Sequence, residues 1–578
     1  MMLPTTVRTS VSPGTLAKVT RLFNGTPADV LAELLQNARR AGASCVRVAI
    51  HRMRDGRAFE PDDPAVHDGS FWLTVADNGC GVADPAAPLT LGSSGWEADT
   101  LRAEDPAGMG LFALAGRPVR VASRGPAGAW SVSVGPEDWT SGADLAVERG
   151  QGPAERGTVV SVEAPEGWAA NLKAEVQRAA LYYPLPVTFN GEEAPRCAFL
   201  AKALRVEEWR GLKIGVVQER GWSGDPRINF HGVTVPCVLP QVAEMRGETW
   251  SVLADVVDCP ELQLVLPARK EVVATPFLDE LREACERALY RYFATRDHHS
   301  LPYEEWRRAA ALGVELPPAA MALSPWSPAT NDGDPDHRFR RRWNDESSEL
   351  PAEPLIMADV GPDLEQSLAR ALTFSDPELR TRLVEACPDF AGYSWYDALP
   401  RVVGVVGTVT RGAATWATDD EAAPPESGVV DRASIALTIA SGEISFVRPL
   451  ATDVLLVASD EGWSDEPDQQ HVFVTPNPRL DPVDLTDAIV AAFFMASDDR
   501  DADSWETQHD RYEREALDFA RRLLLGDGEA DIARIRDAIR DRIAWLVPKG
   551  RELRVRYDAA SLDVSLAPLG DDAATGRS

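Results

Sequence analysis

Residues 27–41 read PADVLAELLQNARRA, and the spacing of their apolar side chains decides how the first part of this chain folds. Val30, Leu31, Leu34, Leu35, Ala38 and Ala41 recur at intervals of three and four, which is one face of an amphipathic helix. Glu33 and Asn37 are four residues apart, so a carboxylate and an amide leave the same face about one turn from each other. Taken alone, that pair suits a solvated surface better than a binding site.

Two further segments bear on the choice. Residues 71–82, FWLTVADNGCGV, form a strand-like run that stops on Asp77, with glycines at 79 and 81. A carboxylate at a strand end beside bare backbone suits a flat heterocycle, and the same DNG triplet also suits a hairpin turn. Downstream, Gly92-Ser-Ser-Gly95 and then Gly108-Met109-Gly110-Leu111 lead into an apolar helical run. Amides at a helix start preceded by a loop without side chains form a cradle for phosphates. The segment is neither a P-loop nor the dinucleotide fingerprint, since both the GK[ST] ending and the GxGxxG spacing after a first strand are missing.

Order lifts the set above its parts: a helical Glu and Asn, a strand ending in DxGxG, a glycine-bounded lid, then Gly157-Thr158-Val-Val-Ser-Val within about 130 residues. In this arrangement the chain resembles the GHKL superfamily, the Bergerat-fold ATPases of gyrase-type topoisomerases, Hsp-ninety chaperones, sensor histidine kinases and MutL proteins. The resemblance spans roughly residues 15–162. It implies an ATP site in which Glu33 is the general base, Asn37 the Mg²⁺ ligand and Asp77 the acid that reads adenine. It also implies that Gly79 and Gly81 lie under the base, that Gly108, Met109, Gly110 and Leu111 cradle phosphate, and that the Thr158 hydroxyl helps hold adenine through Asp77 and water. Where many relatives carry Asp three positions after the motif Asn, this chain has Arg40, which places the hydrolysis rate in question.

Residues 184–191 and 264–275 resemble the transducer domain that follows such ATPase modules, which implies that Lys270 or Arg269 reaches the terminal phosphate. The expected class is therefore α+β multidomain: a Bergerat-type α/β sandwich over 1–165, a transducer-like α+β domain over 166–298, a linker with a short helix over 299–354, a mixed α+β C-terminal region over 355–570 and a disordered tail over 571–578. The linker expectation rests on the polar run from Ser324 to Pro354, which includes the arginines 338, 340, 341 and 342. RELRVRYDAASLDVSLAP, near the end, alternates like a hairpin.

Composition narrows the partners. The 578 residues include 59 Lys plus Arg against 90 Asp plus Glu, a net charge of −31 that repels phosphate backbones and disfavours nucleic acid. Seven scattered cysteines without a CxxC pair suggest neither a zinc ribbon nor a disulfide framework and fit a reducing compartment, and no run is apolar enough for a membrane span, so a cytoplasmic location is expected. No His precedes His51, which disfavours a sensor kinase with its phospho-acceptor upstream. The expected function is an ATP-binding and hydrolysing, chaperone-like switch that acts on a protein client, with a homodimer left open by the sequence. A MutL or gyrase-type DNA ATPase and a nonenzymatic nucleotide-sensing scaffold are the alternatives.

Overall fold

The computed structural model describes residues 26–55, 57–60, 69–90, 110–141, 144–219, 227–245, 247–265, 271–331, 351–459, 466–497, 502–558 and 560–568. Helix α1 (Pro27–Arg40) begins at a capping box, in which Thr26 and Asp29 each accept from the other's backbone N–H, with Pro27 at a position that needs no donor. Its buried face is Val30, Leu31, Leu34, Leu35 and Ala38, as the period requires, together with the amide of Gln36.

That face packs on a nine-stranded sheet of β1 (Val46–Arg54), β2 (Arg57–Phe59), β3 (Ser70–Asp77), β4 (Val119–Gly125), β5 (Gly128–Val134), β6 (Glu148–Arg149), β7 (Gly157–Ala164), β8 (Val187–Phe189) and β9 (Glu192–Glu193). The order is β6-β5-β4-β7-β3-β1-β8-β9, with β2 on β1. Neighbours are antiparallel except β1 and β8, which run parallel from Val46↔Val187. A second helix, α2 (Leu172–Ala180), and a short 3₁₀ turn at Gly110–Leu114 complete the core with α1. The first domain therefore does not end near 165. The parallel return of β8 beside β1, and the burial of Leu172, Val176, Ala180 and Tyr183 in the same core, carry it to about Ala194.

A second sheet has the order β10 (Arg205–Trp209), β11 (Leu212–Glu219), β15 (Thr249–Val256), β12 (Ile228–Phe230), β13 (Val233–Val235), with β14 (Gln241–Ala243) also on β15. Helix α3 (Pro276–Phe293) lays Phe277, Leu278, Leu281, Cys285, Leu289 and Phe293 into its core. The described part of the expected linker is structured as well. Leu301, α4 (Tyr303–Ala311), Val314 and Leu316 belong to this second core, because Trp306 and His299 close it with hydrogen bonds to the carbonyls of Leu316 and Pro317. Both sheets lie in one compact unit, residues 1–320.

The other unit, residues 321–578, is a mixed α+β assembly. Its main sheet has the order β17 (Leu383–Val384), β16 (Leu355–Ile356), β18 (Arg401–Arg411), β21 (Arg432–Ser441), β22 (Ile444–Thr452), with β19 (Ala414–Ala417) on β18. A three-stranded sheet joins β20 (Gly428–Val429), β24 (His471–Val474) and β23 (Val454–Val457). Helix α5 (Pro362–Ser375) packs on the first of these and α6 (Pro377–Arg382) follows it; α7 (Pro482–Phe493) and α8 (Trp505–Leu525) bury a core with β23 and β24, and α9 (Asp527–Arg542) follows α8. Trp326 is stitched into this unit through its N–H to the Leu383 carbonyl, so the polar run from Ser324 starts as packed chain. The terminal hairpin is present as β25 (Arg551–Asp558) and β26 (Ser561–Pro568). The arginine cluster and the tail lie outside the described residues. Among the described residues no helix is long and apolar enough to cross a membrane.

Candidate functional site

Asp77 ends β3, and its position is fixed by backbone on two sides. Its Oδ1 accepts from the N–H of Gly79 at 2.8 Å and from the N–H of Thr158 on β7 at 3.3 Å. Its Oδ2 accepts from no described group. Burial pushes the carboxyl above the usual aspartate range, and the two N–H bonds only partly offset that. A desolvated carboxyl with one oxygen held and the other unengaged is poised to take a donor from a ligand.

The glycines around it answer to packing. A Cβ on Gly79 would lie 2.6 Å from the Cβ and carbonyl oxygen of Ala41, at the end of α1. Gly81 has φ +71°, and a Cβ there would meet the Arg124 carbonyl oxygen at 2.4 Å. Gly157 is the tightest: at φ +136° its Cβ would fall 2.0 Å from the Asp77 carbonyl oxygen. These glycines let three chain segments close around Asp77. Asn78 adds a further tie, since its Oδ1 accepts from the N–H groups of Ser44 and Cys45 and its amide donates to Ser44 Oγ.

Thr158 reaches Asp77 through its backbone N–H, while its hydroxyl lies 3.2 Å from Ser123 Oγ. Ser123 is fully buried and bonds Gly157 O and Val82 N–H, so the strand-end loop and β7 are linked through it. Sequence reasoning missed Ser123, because a serine in the middle of β4 carries no local signal.

On α1 the expected pair is joined by a third group. Arg40 Nη1 donates to Asn37 Oδ1 at 3.3 Å and lies 3.9 Å from Glu33 Oε1. The Arg40 side chain is 2% exposed and that of Glu33 19%. The helix and the Asp77 loop meet at Ala41, whose carbonyl accepts from Cys80 N–H at 2.8 Å and whose own N–H bonds Asn37 O. Glu33, Asn37, Asp77, Gly79, Gly81 and Thr158 thus lie along one connected run of contacts. Gly110 opens the 3₁₀ turn, and Leu111 is a core side chain, 8% exposed, so any role in holding phosphate falls to its backbone. Gly108, Met109, Arg269 and Lys270 lie outside the described residues, as does most of the expected lid.

Asn37 Oδ1 has two lone pairs, so accepting from Arg40 leaves one with which it could hold a divalent cation. Mg²⁺ takes oxygen at about 2.1 Å, and Arg40 Nη1 is 3.3 Å from the same oxygen. Mg²⁺ there would lie no more than about 5.4 Å from that nitrogen, a repulsion of about 6 kcal/mol at an effective dielectric constant of about 20, opposed by the negative charges of Glu33 and of a triphosphate.

A second connection leaves this helix. Gln36 Nε2 donates to the carbonyls of His231 at 2.7 Å and Phe230 at 3.4 Å, in the turn between β12 and β13. Tyr183 OH donates to Leu35 O at 2.6 Å, and Tyr183, its Cα at 2.9 Å and its Cβ at 3.1 Å, occupies the space a Cβ on Gly232 would need. Elsewhere in the unit, an open pocket lined by Leu239, Gln241, Arg282, Glu286, Tyr290 and Glu305 contains none of these residues. Its polar groups pair internally, Tyr290 with Glu305 and Arg308 with Glu286.

No protein-family model matches the sequence, and a search of curated proteins returns no match either.

Proposed function

We propose that α1, β3 and β7 form an adenine-nucleotide site and that the chain is an ATP-driven conformational switch, chaperone-like, acting on a protein partner. The observation that carries this reading is the Asp77 carboxyl, desolvated, held through Oδ1 alone, with Oδ2 available to accept from the exocyclic amine of adenine. Glu33, one turn from Asn37 and with its side chain 19% exposed, is the group that would orient water and take its proton. Binding energy is transmitted toward the second sheet through Gln36. The net charge of −31 favours a protein partner over DNA.

The test is calorimetry with ATP followed by phosphate release on the full chain, with Glu33→Ala alongside. ATP should bind both proteins, and only the parent should release phosphate. Hydrolysis by Glu33→Ala at the parental rate would refute the base assignment. ATP binding with no phosphate release by either protein would leave a nucleotide-sensing scaffold, and salt-sensitive DNA binding would favour the repair or topology reading.

A further inference from the structure

The terminal hairpin sorts its side chains by face. Leu553 pairs with Leu566, Val555 with Val564 and Tyr557 with Leu562, and because partners in an antiparallel register share a face, all six project from one side. Glu552, Arg554, Arg556, Asp558, Asp563 and Ser565 take the other. The apolar side is bare: Val555, Tyr557, Leu562, Val564 and Leu566 are 46%, 76%, 62%, 60% and 47% exposed, and none of the six belongs to a hydrophobic core formed by the described residues. Two strands alone are marginal in water, so a hairpin with this pattern needs a cover. We infer that the cover is a second copy of the chain, and that the apolar faces of two terminal hairpins pack on each other about a two-fold axis to form a homodimer.

The face is built to meet itself. With the two-fold axis roughly along the strands, β25 of one copy lies over β26 of the other, so leucine meets leucine, valine meets valine and Tyr557 meets Leu562, in both directions at once. Charge selects the same occupant. Residues 551–568 carry Arg551, Arg554 and Arg556 against Glu552, Asp558 and Asp563, a net charge of zero in a chain of −31. Two copies therefore approach here without the repulsion their acidic surfaces impose, whereas a partner recruited by charge would be basic and would find no acidic excess on the hairpin. Trp545 and Leu546, a few residues ahead of β25, are a further 76% and 59% exposed. At about 100–200 Å² per side chain, about three-fifths of it bare, the hairpin face with these two offers roughly 600 Å² per copy, or about 1,200 Å² in a pair, which reaches the size of a specific interface. A dimer of this kind is independent of the nucleotide site proposed above.

The experiment is sedimentation velocity of the full chain, from nanomolar to tens of micromolar, for the parent, Val564→Asp and Ser565→Asp, neighbours on opposite faces of β26. The parent should sediment at twice the chain mass. Val564→Asp, which puts a carboxylate into the centre of the apolar face, should weaken the dimer about a hundredfold or more and run as the single chain, while Ser565→Asp should match the parent. A parent that stays monomeric throughout would overturn the inference, with a different protein or another segment of the chain as the cover. A dimer that survives Val564→Asp, or that Ser565→Asp loses equally, would overturn it as well. Should Val564→Asp unfold the hairpin, hydrogen exchange of the parent decides: protection of residues 551–568 that rises with protein concentration in step with the dimer supports the inference, and protection that does not change with concentration overturns it.

Discussion

Asp77→Asn separates the functional role of this carboxyl from its structural one, because the two respond with opposite signs. Asparagine keeps an Oδ1 that can accept from Gly79 and Thr158, so the bonds that fix the loop survive. The other atom changes from an acceptor to an NH₂ donor, which would face the donor amine of adenine. Losing a hydrogen bond to a charged group costs about 1.5–3 kcal/mol, which at 1.36 kcal/mol per decade weakens ATP binding about 13- to 160-fold. Stability moves the other way. Burial raises the folded pKa of Asp77 above its unfolded value near 3.9. Between those two values the native state holds more protons than the unfolded chain, so stability falls as pH rises through that window and stays reduced above it. Asparagine carries no such penalty. At neutral pH the ligand-free variant should therefore melt at or above the parent, and the difference should vanish below the window. Calorimetry with ATP and thermal melts from acid to neutral pH measure both quantities. Unchanged ATP affinity would refute the adenine role, and a neutral-pH melt well below the parent would show that Asp77 is held for the fold alone.

Other substitutions probe the supports of the site. Gly157→Ala should destabilise the chain by more than about 2 kcal/mol in denaturant unfolding, since strain at positive φ adds to a 2.0 Å approach to the Asp77 carbonyl oxygen. A parental midpoint would show that β7 can back away. Gln36→Leu leaves the carbonyls of Phe230 and His231 without their amide and should cost about 1–3 kcal/mol, read by the same assay, with nucleotide affinity altered less than stability. In the other unit, burial pushes Asp453 up, but Arg370 and the Arg479 N–H outweigh it and hold the carboxyl below its usual range. Its contribution is present above the unfolded pKa and lost as pH falls through the lower folded value. Asp453→Asn should cost about 2 kcal/mol at neutral pH and nothing below that folded value, and equal losses at both extremes would reject the charged pair.

What could be read from the sequence follows the range of the interactions. The face of α1 was legible because Val30, Leu31, Leu34, Leu35 and Ala38 repeat with the helix and nothing distant overrides them. Ala41 departs from it: it caps the helix and turns to meet Gly79. The strand to Asp77 and the terminal hairpin were legible for the same local reason. Gln36 was not, because the carbonyls that bury it come 194 and 195 residues later. The extent of the first core is not legible locally, because β8 is only three residues long and pairs in parallel with β1 across a long connection. The glycines stand out in the sequence, but the backbone that a Cβ on each would meet comes from distant segments. Arg40 was visible as a departure, but its partners on Asn37 and Glu33 required coordinates.

One helix therefore carries three kinds of contact, and their positions around it bear on how a switch would work. The apolar face holds α1 to its sheet, Arg40 joins Asn37 and Glu33 along a polar edge, and Gln36 with the Leu35 carbonyl reaches Tyr183 and the turn after β12. Residues 36 and 37 are adjacent on a hydrogen-bonded rod, so a displacement of Asn37 cannot occur without one of Gln36. The receiving turn is also poorly able to absorb motion. His231 and Gly232 both have positive φ, Asn229 Oδ1 ties Gly232 N–H at 2.8 Å, and Tyr183 lies 2.9 Å from where a Gly232 Cβ would stand. Turn and helix should then shift together or separate by breaking the Gln36 bonds. Coupling of this kind is bounded by those bonds, about 1–3 kcal/mol for a buried amide, which lies within the usual range for communication between sites. It follows that Gln36→Leu should shrink any nucleotide-dependent change in the hydrogen exchange of β12 and β13 while leaving such a change within the Asp77 loop intact. Loss of both together would place the coupling in the sheet, and persistence of both would show that the helix does not carry it.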